Sequence, residues 1–127
     1  DVILCKAEIE NNLNGPAAAL PYLNQIRARA GAPEYGKHNR FPAPSTKETM
    51  NDAILKERGY ELVFEFQRRA DLIRFGKYEE VVNAHLKKLG IAQPTNVTSS
   101  LRYFPYPLND AQLNPNLAAE NPSRLPK

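Results

Sequence analysis

Three glutamates recur at a regular spacing in the middle of the chain, where carboxylates could do chemistry. Glu57, Glu61 and Glu65 stand at positions i, i+4 and i+8, so on a helix they share one face. Two carboxylates can act as the acid and the base of glycoside hydrolysis, but the members of such a pair face each other across a cleft. Because these three share a face, their spacing favours a structural role over a catalytic pair.

Nearby arginines supply the charges that such a row of carboxylates needs, since like charges four residues apart on a helix repel each other. The charged residues around the glutamates are Arg58, Arg68, Arg69, Asp71 and Arg74. We predict that all eight form one network of ion pairs, which joins a long helix to the segment after it. Replacing Glu61 or Arg68 by alanine would then cost on the order of 3 kcal/mol, because a partly buried partner charge would be left unpaired.

Other reactive side chains do not form recognisable patterns. His38 and His85 lie far apart, and neither has ligand spacing to the single cysteine, Cys5, so we expect no metal site. The sequence shows no Ser/His/Asp arrangement and no glycine-rich phosphate loop. We therefore expect no cofactor. Cys5 lies in an apolar, helix-like run, which predicts a buried and inert thiol.

A long loop at residues 32–44 is the candidate binding site, because long loops in compact domains often carry function. Its candidate ligand-binding residues are Tyr35, Arg40 and Phe41, with His38 beside them. The alternative is a connector whose tyrosine and phenylalanine cover the edge of the core, which is the more common role of such side chains. The aromatic side chains that could stack on sugar rings are Tyr35, Phe41, Tyr103 and Tyr106.

A central helix must position the glutamates. Ser45 and Glu48 have the spacing of a capping box, which predicts that the helix begins at Ser45. Behind them run two apolar stripes, so we expect the helix to be covered on two sides. One stripe holds Met50, Ala53, Ile54, Tyr60 and Phe64, and the other holds Leu55, Leu62 and Phe66.

Two helices are predicted before the central one, over residues 1–12 and 17–30, joined by a turn that contains Gly15 and Pro16. Pro21 predicts either a helix that begins near it or a kink. Such a helical hairpin is typical of tetratricopeptide-like arrays and implies neighbouring elements, since one hairpin cannot bury its own apolar faces.

The remainder is predicted to be short helices and irregular chain. We expect a helical turn or two over 69–75, a helix over 77–89 ended by Gly90, and a polar loop over 93–100. We predict an extended segment over 102–107 and a single helical turn over 108–113, with Asn109 or Asp110 as its cap. The proline-rich tail, 114–127, reads as irregular. In Val81, Val82, Leu86 and Leu89 we expect the inward face of the 77–89 helix.

The length and net charge of the chain limit which kind of protein it can be. The 127 residues suffice for one domain, predicted over 1–127, and a net charge of +3 without a basic stripe argues against nucleic acid. No secretory signal or membrane-spanning run is visible. The chain begins at Asp1, already inside a periodic pattern, which suggests a fragment of a longer protein.

The run AILKERGYELVFEFQRRADLIRFGK resembles the signature of the SusD/RagB family, in which Asn/Lys-Glu-Arg, Glu-Leu-x-Phe-Glu, Arg, Asp-Leu and Arg-x-Gly-Lys follow one another. The matching positions are Glu57, Arg58, Glu61, Leu62, Phe64, Glu65, Arg68 or Arg69, Asp71, Leu72, Arg74, Gly76 and Lys77. Two flanks agree. DVILCKAEIEN with YLNQIRARAGAP is similar to the family's last tetratricopeptide-like helix pair, and FPYPLNDAQLNPNLAAENP is similar to its C-terminal ending. Phe66-Gln67 stands where the family commonly has Gly-His, and Tyr106 stands where it commonly has an aliphatic residue.

The helical patterns predict a mostly all-α fold, with a tetratricopeptide-like hairpin packed on a long central helix and a proline-rich tail, and the resemblance implies a non-enzymatic role. SusD-like proteins are lipoproteins on the outer-membrane surface of Bacteroidetes. They bind a SusC-like TonB-dependent transporter and hand it glycans or other nutrients. The chain would correspond to the C-terminal part, without the lipid anchor, and no sugar-binding residue is carried over from the family. The alternative left open is a helical-repeat module for protein–protein contact, with a glycoside hydrolase less favoured.

Overall fold

The computed structural model describes residues 1–91, 97–104 and 106–120. Within those ranges every regular element is helical, which confirms the predicted all-α class. The helices are α1 (Val2–Asn14), α2 (Pro16–Arg29), α3 (Lys47–Glu61), α4 (Arg68–Arg74), α5 (Tyr78–Lys88), α6 (Leu108–Leu113) and α7 (Pro115–Glu120), with a 3-10 helix at Ser99–Arg102. The chain divides into two compact units, Asp1–Asp71 and Leu72–Lys127, so the single domain over 1–127 stays a prediction.

Helices α1 and α2 form an antiparallel hairpin through Gly15, close to the predicted bounds. The Lys6 ammonium lies 4.6 Å from the centre of the Tyr22 ring, which places the start of α1 beside the middle of α2. Helix α2 begins at Pro16, where the missing N–H costs nothing, and continues through Pro21. The alternative in which this helix begins at Pro21 is therefore wrong. The likeness of the hairpin to a tetratricopeptide repeat stays a prediction.

Helix α3 packs against both helices of the hairpin. The core between them consists of buried aliphatic side chains: Leu4, Ala7, Ala19, Leu23, Ile26, Met50, Ala53, Ile54 and Leu55. One buried polar side chain, Asn11, joins α1 to the start of α3. Its amide nitrogen donates to the Lys47 carbonyl oxygen at 2.9 Å and to Asn51 Oδ1 at 2.8 Å. The two-sided covering predicted for α3 is thus present along its first three turns.

The start of α3 differs by one residue from the prediction. Thr46, not Ser45, is the N-cap: Thr46 Oγ1 accepts from the Thr49 N–H at 3.2 Å, and Thr49 Oγ1 accepts from the Thr46 N–H at 3.0 Å. Contacts between Lys47 and α1 accompany this later start of the helix. The Lys47 carbonyl oxygen accepts from Asn11, and the Lys47 ammonium donates to the Asn12 carbonyl oxygen at 2.7 Å.

The end of α3 comes earlier than predicted, at Glu61. Arg68 donates to the Leu55 carbonyl oxygen at 2.7 Å although 13 residues separate them, whereas a continuous helix would hold them about 20 Å apart. The chain therefore turns back after Leu62. Phe64 and Phe66 adopt positive φ angles of 67° and 59° and are 90% and 95% exposed.

Three members of the predicted apolar stripes consequently lie outside the core, namely Tyr60, Phe64 and Phe66. Cys5 is half-buried rather than buried. Its thiol donates to Asp1 Oδ1 at 3.5 Å, and its sulfur accepts from Arg58 Nη1 at 3.6 Å. The thiol thus borders a charged cluster instead of the aliphatic core, which corrects the prediction of a buried, inert side chain.

In the second unit, α5 is the longest helix of the described residues. The Glu79 carboxylate accepts from Arg102 Nε at 2.6 Å and Nη2 at 3.0 Å, and this hydrogen-bonded pair lowers the pKa of Glu79. The Asn83 amide donates to the Val97 carbonyl oxygen at 2.9 Å and accepts from its N–H at 2.7 Å. Val81, Val82 and Leu86 are half-buried, whereas Leu89 is exposed, contrary to the prediction.

The C-terminal region is more helical than predicted. Helix α7 occupies Pro115–Glu120, where irregular chain was expected, because proline favours the first position of a helix and Asn114 Oδ1 accepts from the Asn116 N–H at 3.0 Å. Helix α6 follows Pro107 rather than a capping Asn109 or Asp110. Arg102, predicted to be extended, belongs to the 3-10 helix, whereas Tyr103 is extended. The predictions for 92–96, Pro105 and 121–127 lie outside the described residues.

Within the described residues, no helix has the length and apolar character needed to cross a membrane.

Candidate ligand-binding cleft

A buried ion pair between Arg27 of α2 and Glu57 of α3 is the anchor of the first unit. Arg27 Nη1 donates to Glu57 Oε1, and the two side chains are only 4% and 5% exposed. The sequence analysis offered Arg58, Arg68, Arg69 and Arg74 as the cations for the glutamates, whereas Glu57 pairs with Arg27. Glu61 likewise pairs with Arg29 of α2. Helix α2 supplies these cations because it runs alongside the last turns of α3.

Part of the predicted network does link α3 to the segment after it. Arg58 Nε donates to Asp71 Oδ2 at 2.8 Å, and both side chains are buried. Arg58 Nη1 also donates to Asp1 Oδ1 at 2.5 Å. Burial works to lower the pKa of Arg58, but the hydrogen bond and the charge of Asp71 outweigh it and raise that pKa.

Glu57 and Glu61 pair with arginines of α2 rather than with the remaining members of the predicted network. Arg68 donates to a backbone oxygen, and Glu65, Arg69 and Arg74 are exposed. Glu65 follows the end of α3, so the three glutamates do not share a helix face. Since Glu57 is buried in an ion pair, this geometry supports a structural role for the glutamates and gives no cleft between two carboxylates.

Arg27 also holds the aromatic loop, residues 32–44, against the helices. Its Nε donates to the Pro33 carbonyl oxygen, and its guanidinium carbon lies 4.6 Å from the centre of the Tyr35 ring and 4.5 Å from that of Phe41. The two rings meet edge to face with centres 5.9 Å apart, a favourable arrangement for aromatic pairs. One buried guanidinium thus fixes both aromatic side chains.

Tyr35 is the most firmly held residue of the loop. Asn24 donates to the Tyr35 carbonyl oxygen at 3.0 Å and accepts from its N–H at 2.8 Å. The phenol hydroxyl donates to Glu57 Oε1 at 3.5 Å. Burial and the Glu57 carboxylate raise the pKa of Tyr35, while the Arg27 charge acts in the opposite direction.

The tip of the loop is a compact turn closed by backbone hydrogen bonds. The Gly36 N–H donates to the Phe41 carbonyl oxygen at 2.7 Å, and the Phe41 N–H donates to the His38 carbonyl oxygen at 2.9 Å. Gly36 has a φ of +80°, and a Cβ there would lie 3.3 Å from Ala43 Cβ. Both the left-handed conformation and the close approach favour glycine.

An open cleft of about 410 Å³ lies between this loop and α3. Its lining residues are Tyr35, Arg40, Phe41, Pro42, Ala43, Pro44, Ser45, Thr49, Ala53 and Lys56. The structure therefore brings the three candidate residues Tyr35, Arg40 and Phe41 to one site. The alternative of a connector whose aromatic side chains cover the edge of the core also agrees in part, because the Tyr35 side chain is buried.

Sequence reasoning missed the α3 wall of this cleft. Thr49, Ala53 and Lys56 stand at i, i+4 and i+7, which is the spacing of one helix face. This spacing points to the cleft only if one already knows that the 32–44 loop runs back along the same face of α3. His38 is exposed, and its Nδ1 accepts from the Arg40 N–H at 3.2 Å.

A second depression, of about 430 Å³, lies between α2 and the aromatic loop. Its only two charged lining residues, Glu34 and Lys37, pair with each other at 2.8 Å, and no aromatic ring lines it. Tyr103 and Tyr106 belong to the second unit and line neither site. Across the described ranges, no group of three His, Cys, Asp or Glu side chains could hold a metal ion.

The described residues form an all-α structure with a cleft whose apolar and aromatic walls carry a few polar groups, as the walls of small-molecule sites commonly do. The model of the SusD family matches residues 1–123, so the chain belongs to that family.

Three SusD-like proteins of Formosa agariphila are similar to the chain. It is 38% identical over 115 residues to SusD-like protein P25, covering 91% of this chain and 21% of that protein. It is 37% identical to SusD-like protein P38 over 84 residues, covering 65% and 17%, and 30% identical to SusD-like protein P2 over 128 residues, covering 96% and 24%. The chain thus spans at most about a quarter of the length of these relatives. No solved structure gives a significant match.

Proposed function

We propose that this chain is part of a glycan- or nutrient-binding protein that serves a TonB-dependent uptake system at the outer-membrane surface. The family match over residues 1–123 is the observation that carries this proposal. The protein would be a lipoprotein, would act without catalysis, and would pass its ligand to a SusC-like transporter. Its cleft would contribute a contact surface for the ligand.

The chemistry of the cleft supports a sugar ligand. Phe41 is half-buried, so one part of its ring is fixed by the core while another lines the cleft. Sugar rings present apolar C–H faces to aromatic rings and hydroxyls to polar groups. Aromatic walls with a few hydrogen-bonding side chains suit both requirements.

Binding of soluble oligosaccharides to the chain tests this proposal by isothermal titration calorimetry. We expect saturable binding that Phe41→Ala weakens at least about tenfold, a change equivalent to 1.4 kcal/mol. Phe66→Ala is the matched control, because it removes the same side chain from an exposed position that does not line the cleft. Circular dichroism must show that both variants remain folded, and Arg40→Ala serves as a second cleft variant since Arg40 is exposed.

Two outcomes would contradict the proposal. If no oligosaccharide binds, the chain holds no glycan site of its own. If incubation of an oligosaccharide with the chain produces new reducing ends, the protein is a hydrolase instead.

The alternative of a protein-contact module is favoured by one feature, the exposure of Phe64 and Phe66 after α3. Apolar side chains that project into solvent together often mark contact surfaces. Binding of a SusC-like transporter that Phe64→Ala and Phe66→Ala abolish, without any glycan binding, would favour this alternative.

A further inference from the structure

Charge is distributed unevenly around the cleft. Arg40 and Lys56 are the two charged residues among its ten lining residues, and no aspartate or glutamate lines it. Both cations are exposed. Within the part of the chain that the structure describes, neither of them forms an ion pair. The lining of the cleft thus carries two positive charges and no carboxylate, which favours a ligand of negative charge.

The neighbouring cations make a useful contrast. Arg27 pairs with Glu57, Arg29 with Glu61, and Lys37 with Glu34. The cations of α2 and of the loop outside the cleft are therefore engaged by carboxylates of the fold itself. Arg40 and Lys56 are left available at a cleft that an external ligand could enter.

The two cations stand on different walls. Arg40 comes from the aromatic loop and Lys56 from α3. A guanidinium can bind a planar carboxylate or a sulfate through two parallel hydrogen bonds, whereas an ammonium acts as a point charge. A ligand with negative groups could engage both walls at once, and a neutral ligand would leave both charges unused.

We propose that the cleft binds an anionic oligosaccharide, which bears carboxylate or sulfate groups for Arg40 and Lys56 and an apolar sugar face for Phe41. This inference rests on the proposed function and specifies the class of its ligand. The Ser45 hydroxyl, exposed at the cleft, is available to the sugar hydroxyls. Thr49 contributes less, since its hydroxyl is engaged in the N-cap of α3.

The test compares four probes by calorimetry on the 127-residue chain: a uronic-acid oligosaccharide, a sulfated oligosaccharide, a neutral oligosaccharide of the same length, and inorganic sulfate. We expect about tenfold tighter binding of at least one acidic oligosaccharide than of the neutral one, because charge-assisted hydrogen bonds are roughly twice as strong as neutral ones. Binding should weaken as salt is raised, since exposed charges are screened. The two acidic probes distinguish carboxylate from sulfate recognition.

Arg40→Gln and Lys56→Gln should each reduce the preference for the acidic probe towards that of the neutral one. Lys37→Gln is the matched control, because it removes the same charge from the same loop but lies outside the cleft and already has a partner. All three positions are exposed, so the variants should fold.

The possible results separate the two proposals. Equal or tighter binding of the neutral oligosaccharide overturns the anionic preference and leaves glycan binding intact. Binding of inorganic sulfate as tight as that of the sulfated sugar shows an anion site and overturns sugar recognition there. Absence of binding by every oligosaccharide overturns the proposed glycan function of the chain, and this inference with it. An equal loss in Lys37→Gln shows a general charge effect and also overturns the inference.

Discussion

Gly59 leaves open the space that the guanidinium of Arg68 occupies. A Cβ added at Gly59 would lie 2.9 Å from Arg68 Nη1, the same nitrogen that donates to the Leu55 carbonyl oxygen at 2.7 Å. A glycine inside α3 is thus explained by the return of the chain after the helix, because the guanidinium crosses the helix surface at the one position without a side chain.

Gly59→Ala should change stability little in the native sequence. Alanine favours a helix over glycine by about 1 kcal/mol, but the methyl group would displace Arg68 from a hydrogen bond of about the same value. In an Arg68→Ala background, Gly59→Ala should therefore stabilise by about 1 kcal/mol. Urea unfolding of the four proteins in this cycle measures the difference. An equal effect in both backgrounds would show that Arg68 does not occupy this space.

Glu57→Ala should destabilise the protein by about 3 to 5 kcal/mol, because it leaves Arg27 buried without its partner. Glu61→Ala is the matched control. Its partner Arg29 is 66% exposed and Glu61 itself 21% exposed, so the loss should stay within about 1 kcal/mol. This replaces the larger loss that the sequence alone suggested for Glu61. Chemical denaturation measures both changes, and similar losses at the two positions would contradict the difference in burial.

Thr46→Ala should cost about 1 kcal/mol, the usual effect of removing an N-cap side chain. Ser45→Ala should have almost no effect, since Ser45 precedes the cap and is exposed. Thermal unfolding of the two variants shows whether Thr46 or Ser45 is the N-cap. The opposite ranking would show that α3 begins at Ser45, as the capping-box pattern with Glu48 predicted.

Phe66→Gly should stabilise the protein by about 0.5 to 1 kcal/mol. A left-handed conformation costs a non-glycine residue about 1 to 2 kcal/mol, part of which the greater freedom of glycine in the unfolded chain offsets. The φ of 59° at Phe66 lies in this left-handed region. Val63→Gly is the control: its φ is not positive, so glycine there should destabilise. Equal effects at both positions would argue against strain at Phe66.

Alkaline pH should weaken the packing of the aromatic loop through Tyr35. Because the folded state raises the pKa of Tyr35 above its ordinary value of 10.0, the stabilisation is complete below pH 10.0 and is lost as pH rises through the folded-state value. Tyrosinate absorbance during a pH titration should show one late-ionising group that is absent in Tyr35→Phe. If all tyrosines ionise together in both proteins, Tyr35 is not held in this environment.

Local patterns predicted the helices of the first unit well, since apolar spacing and the Gly15-Pro16 turn are encoded within a few residues. They did not predict where α3 begins and ends. Ser45 and Thr46 are nearly equivalent as caps, and contacts of Lys47 with α1 accompany the cap at Thr46. The turn after Leu62 depends on Arg68 and its distant acceptor, which no helical pattern reveals.

The candidate cleft was predicted only on its loop side. Tyr35, Arg40 and Phe41 lie close together in the sequence and could be grouped by their types. Lys56 could not be grouped with them, because its membership depends on the path by which the loop returns to α3. The partners of Glu57 and Glu61 were missed for the same reason. Arg27 and Arg29 lie 30 and 32 positions away in the sequence, so their pairing with the glutamates depends on how α2 packs against α3.

The buried position of Arg27 separates two kinds of sequence change in this region. The residues that fix the shape of the cleft, Arg27, Tyr35 and Glu57, are also needed for folding, so they cannot vary freely. Arg40 and Lys56 take part in none of these internal contacts and are exposed. Natural variation or directed evolution could therefore change the charge of the cleft, and with it the preferred ligand, while the frame that holds it stays the same.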